Sequence, residues 1–70
     1  MIKNNQLKTY DYILYRQDNV ITLRKQHRIL EISQQGKHYV VNDSLLPQSN
    51  AYILDSEEEL IKLIKELCKP

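Results

Sequence analysis

Seventy residues with a formal net charge of +1 and a single cysteine bound what this chain can be: one domain with a small core, and no internal disulfide or four-ligand zinc set to reinforce it. Its one glycine, Gly36, excludes a phosphate-cradling loop, a dinucleotide fingerprint and a nucleophile elbow, and a fold of this size has little room for a cleft with its supporting shell. Catalysis is therefore not expected, and no cofactor, metal or small-molecule substrate is implied.

Residues 1–8 are polar apart from Ile2 and Leu7 and are expected to be a flexible arm. They lack the apolar centre of a signal peptide, and apolar runs such as Tyr12 to Tyr15 reach only four residues, too short to cross a membrane. With one thiol, Cys68, the chain fits the reducing cytoplasm.

From Thr9 the texture changes to β-branched and aromatic residues in alternation, and residues 9–54 are expected to form an antiparallel sheet. The first strand, Tyr10 to Arg16, sets Tyr10, Tyr12 and Leu14 on one face and Ile13 and Tyr15 on the other. Asp18-Asn19 then suits a two-residue hairpin loop, which places Leu14 opposite Leu23 and Arg16 opposite Ile21. In Val20 to Ser33 the apolar positions switch from odd (Ile21, Leu23) to even (Leu30, Ile32), so a turn must intervene. Placed at Gln26-His27, it sets Leu23 opposite Leu30 and Ile21 opposite Ile32, although Gln-His is poor turn chemistry. A third turn around Gln35-Gly36 uses the glycine's tolerance of positive φ and faces Tyr39 to Ile32 and Val41 to Leu30.

Asn42 to Asn50 contains Pro47 and several turn formers and reads as a loop with Leu45 and Leu46 tucked beneath it. Ala51 to Leu54 can add a short fifth strand. Residues 55–68 form the C-terminal helix: Ser56 and Glu59 are spaced as a capping box, with Asp55 as a rival cap, and Leu60, Ile61, Leu63, Ile64, Leu67 and Cys68 recur at helical spacing. Glu57 to Glu59 and Lys65 complement the helix dipole. The fold expected over residues 1–70 is α+β, an antiparallel meander of four or five strands with one helix packed on one face.

In this register the face away from the helix carries Ile13, Tyr15, Val20, Ile29 and Val40 among Thr22, Arg24, Glu31 and His38. Scattered apolar residues on a sheet need no explanation, but five on one face are more than a solvated surface requires. They point to a buried contact with a protein partner or with a second copy of the chain as a homodimer, with Arg24 and Glu31 as polar determinants at its rim.

The alternative is contact with nucleic acid through the second hairpin tip, where Arg24, Lys25, His27 and Arg28 collect, with Lys37 as a further cation. Residues 1–54 hold seven Lys and Arg against four acids, and residues 55–70 three against five, a mild polarity that permits such contact without requiring it. The five tyrosines do not make a base-stacking platform, since three fall on the core side. Cys68 lies on the apolar face at the helix C-terminus, where the dipole disfavours a thiolate. His27 and His38 belong to opposite ends of the meander and cannot share a metal.

Overall fold

The computed structural model describes residue 7 and residues 11–47 and 50–69. These form a five-stranded antiparallel sheet and a C-terminal helix, the α+β meander expected. Strands β1 (Ile13–Gln17), β2 (Val20–Lys25), β3 (Arg28–Gln35), β4 (His38–Asp43) and β5 (Tyr52–Leu54) lie side by side in the order of the sequence, and helix α1 (Glu57–Leu67) follows.

The first three connections share one form. Gln17 pairs with Val20, Lys25 with Arg28 and Gln35 with His38, so each loop is two residues long. The first loop residue is left-handed every time, at φ 53° for Asp18, 52° for Gln26 and 62° for Gly36. Glycine adopts this conformation freely. For Gln26 it costs on the order of 1 kcal/mol, offset by the paired strands that the turn joins. Parity requires a loop of even length, since one residue more or fewer would send either Leu23 or Leu30 to the wrong face, and the pairing of Leu23 with Leu30 and Ile21 with Ile32 puts that loop at Gln26-His27 in spite of its residues.

The first two hairpins have the expected registers, with Leu14 opposite Leu23, Arg16 opposite Ile21, Leu23 opposite Leu30 and Ile21 opposite Ile32. The third differs. Its loop is Gly36-Lys37, so Val41 faces Ile32, Tyr39 faces Gln34, and Leu30 faces Asp43. The displacement is two residues along β4, which keeps every side chain on its expected face but places a carboxylate where Val41 was expected.

On the inner face Ile21, Leu23, Leu30, Ile32, Tyr39 and Val41 are buried, and α1 covers them with Leu60 and Ile64. Ile61, Leu63, Leu67 and Cys68 pack partly buried around these two. Ser56 is the N-cap, its Oγ accepting from the Glu59 N–H at 3.1 Å. The rival Asp55 is engaged elsewhere, with its Oδ1 2.7 Å from His38 Nδ1. Glu59 returns the capping contact to the Asp55 N–H at 3.5 Å. Cys68 closes the helix, donating its N–H to the Ile64 carbonyl at 2.9 Å.

One connection differs from what its sequence suggests. Leu45 and Leu46 are not tucked under a loop: both are exposed. Strand β4 continues to Asp43, whose Oδ1 and carbonyl accept from the Leu45 and Leu46 N–H groups at 3.1 and 2.9 Å. The inward position at this end is thus filled by Asp43, and the turn it anchors throws both leucines outward. The arm expected at residues 1–8 lies outside the described residues except for Leu7, which is fully buried in the core; Tyr10 and residues 48–49 lie outside them as well.

Candidate interaction surface

The side of the sheet opposite α1 is built in rows by the strand register. One row runs Ile13, Arg24, Ile29; the next Tyr15, Thr22, Glu31, Asn42; the third Gln17, Val20, Ser33, Val40, Ile53. Period-two alternation puts these residues on a common face, and a helix already committed to the other face cannot reach them. Ile13, Tyr15 and Ile53 are 74, 62 and 69% exposed and Ile29 is 39% exposed, while Val20 and Val40 are half-buried by their neighbours. Each residue expected on this face is on it. Ile53 is an addition, and its signal was the parity of the fifth strand, which pairs Ile53 with Val40.

Arg24 lies in the end row of the patch and Glu31 one row further in. They stand on the central strands β2 and β3, Arg24 between Ile13 and Ile29 and Glu31 between Thr22 and Asn42. Neither forms an ion pair with another of the described residues. Two open depressions mark the β1 side of the face. One is lined by Asp11, Ile13, Arg24, Lys25 and Gln26, the other by Tyr15, Gln17, Asp18, Val20, Thr22 and Glu31. The pair of His38 and Asp55 closes the far edge, beyond Val40 and Ile53.

Of the cations considered for nucleic acid, Arg24, Lys25, His27 and Arg28 stand at the β2–β3 hairpin and Lys37 at the opposite end of the sheet. Arg28 is turned inward: its Nε and Nη2 donate to the two oxygens of Asp43, and its Nη1 donates to the Leu67 carbonyl at 2.7 Å and the Tyr12 hydroxyl at 3.3 Å. This arrangement neutralises a carboxylate whose side chain is almost fully buried and places positive charge at the C-terminus of α1, where the helix dipole favours it. The hydrogen bond from Arg28 outweighs burial and holds the Asp43 carboxyl below the usual carboxylate range, while the same bond raises the Arg28 pKa further. Lys25 pairs with Asp11 at 3.3 Å and lies 5.8 Å above the Tyr12 ring. His27 is exposed in the second hairpin loop, and Lys37 lies in the third, at the opposite end of the sheet. A continuous basic stripe is therefore not formed by these residues.

The aromatic residues divide similarly. Tyr12, Tyr39 and Tyr52 pack against the core, and the Tyr39 hydroxyl donates to Glu57 Oε1 at 3.3 Å. Burial first, and then the adjacent Glu57 carboxylate, pushes the Tyr39 phenol above its ordinary value. Tyr15 alone of the described tyrosines is on the outer face and exposed. Among the described residues, no group of three His, Cys, Asp or Glu is placed to hold a metal ion, and no helix is long and apolar enough to cross a membrane. No protein-family model, curated protein or solved structure matches the chain.

Proposed function

We propose that this chain is a small non-catalytic interaction module of the cytoplasm that works by apposing the outer face of its sheet to a second copy of itself. Support comes from one observation above all: Ile13, Tyr15 and Ile53 stand 62 to 74% exposed on a single face that also holds Ile29, Val20 and Val40. Burying such a face removes apolar area from water at about 25 cal/mol per Å². With strands about 4.8 Å apart and rows about 6.8 Å apart, the face covers roughly 400 Å² per copy, and the roughly 800 Å² of two copies falls short of the about 1,200 Å² of a stable interface and is the size of a weak and transient one. Association is accordingly expected in the micromolar range, with the two sheets stacked about 10 Å apart.

Sedimentation across a wide concentration range tests this directly. The unaltered chain is expected to shift from monomer to dimer, and Ile13→Asp to remain monomeric with an unchanged circular dichroism spectrum. A strict monomer at every concentration, or unfolding of the Ile13→Asp variant, would overturn the proposal.

A further inference from the structure

The geometry points to how the second copy sits: a two-fold axis parallel to the sheet docks the outer faces so that Arg24 of each copy meets Glu31 of the other. This rests on the self-association proposed above and adds its geometry.

Lack of an ion pair with a described residue is shared by Arg24 and Glu31 with Asp18, Lys37, Glu58, Lys62 and Lys65; what sets Arg24 and Glu31 apart is their place among the apolar residues of the outer face. Lys25 pairs with Asp11, Arg28 with Asp43, His38 with Asp55 and Lys69 with Glu66. Arg24 and Glu31 carry opposite charges as diagonal neighbours on adjacent strands, Arg24 opposite Ile29 and Glu31 opposite Thr22, yet no ion pair joins them to each other or to any other described residue. Both also stand on the inner strands among apolar residues, Arg24 in the end row between Ile13 and Ile29 and Glu31 one row further in. An apolar interface disfavours charge among its buried residues because each ion loses its water, and that loss is offset only when each ion gains a partner.

A two-fold contact supplies those partners without help from any other molecule. In an isologous interface, if residue i meets residue j, then j meets i, so a face holding one cation and one anion neutralises itself twice. Arg24, Ile29, Glu31 and Thr22 form a four-cornered unit of the sheet, with the charges at one pair of opposite corners. An axis along the other diagonal, from Ile29 to Thr22, exchanges the two charges and sets Ile29 against its own counterpart. A different protein would have to bring both complementary charges at the same spacing.

Reversal of one charge at a time is the test. Arg24→Glu leaves two acids on the inner strands of the face and Glu31→Arg leaves two bases, so each variant alone is expected to lose association by about tenfold or more through like-charge contact. An equimolar mixture of the two is expected to recover it as a heterodimer, because each acidic face meets a basic one. The doubly reversed chain recovers as well, and Lys37→Glu, the same change in net charge at the far hairpin loop, associates like the unaltered chain. Sedimentation reads all five samples, with circular dichroism confirming the fold. A mixture that stays dissociated, single variants that associate normally, or an equal loss in Lys37→Glu would overturn the reciprocal pairing. Loss of association in Ile13→Asp alone would leave the docking face standing without this geometry, whereas a monomeric unaltered chain would remove both.

Discussion

Both faces of this sheet carry large apolar residues, the outer one interleaved with polar residues such as Thr22, Arg24, Glu31 and Asn42, and they meet opposite fates. The inner face is sealed by Leu60 and Ile64 of α1, and its one carboxylate, Asp43, is held by Arg28. The outer face shows Ile13, Tyr15, Ile29 and Ile53 to solvent, and its charges Arg24 and Glu31 pair with no other described residue. One helix can cover only one side. The contrast teaches that alternation specifies which residues travel together, while the supply of covering elements decides which set becomes a core and which stays available.

The contrast can be broken most severely from inside. Leu23 is wholly buried, and Leu23→Ala is expected to cost about 2–5 kcal/mol through lost transfer energy and the cavity left behind, measured by urea unfolding. Asp43→Asn should follow at about 2–3 kcal/mol, because Arg28 keeps its burial and loses its counter-charge, a figure taken below the range for fully buried pairs since Arg28 retains some solvent contact. The pH dependence has a definite sign. The folded pKa of Asp43 lies below its unfolded value, so its contribution is fully present above about pH 4 and is lost as pH falls through the folded value. Asp43→Asn is therefore expected to flatten the acid limb of the stability profile.

Smaller changes sharpen the contrast. Ser56→Ala removes the acceptor for the Glu59 N–H and should cost about 1 kcal/mol, loosening the cover of the inner face while leaving the outer one untouched. Smallest of all, Ile13→Ala is expected to change the unfolding free energy of the dilute monomer by less than about 0.5 kcal/mol, although it weakens self-association. A large loss of monomer stability there would mean that Ile13 contributes to a core.

Most of this architecture was legible because alternation is a strong signal. The parity switch between Leu23 and Leu30 required a turn between them, and aligning those two leucines put it at Gln26-His27 even though those residues advertise none. What remained hidden depended on polar groups in apolar positions. Asp43 occupies the inward place opposite Leu30, and a carboxylate there makes sense only with Arg28, fifteen residues earlier, folded beneath it. Without that pair β4 appears to end early, Leu45 and Leu46 appear to be cover, and the third hairpin slides by two residues. Arg28 was misleading for the same reason, since a cation at a hairpin tip suggests an outward role and nothing local indicates that its partners are Asp43, Tyr12 and the carbonyl of Leu67.

Because every strand pairs only with its neighbours along the chain, the sheet can zip together one hairpin at a time. Each of the three hairpin closures is short and entropically cheap, and more distant events are the burial of Leu7 in the core and the seating of α1, which Arg28 fastens by reaching the carbonyl of Leu67. Assembly on the order of milliseconds follows from the usual dependence of rate on contact separation, and a nascent chain would spend little time with its inner greasy surface unattended.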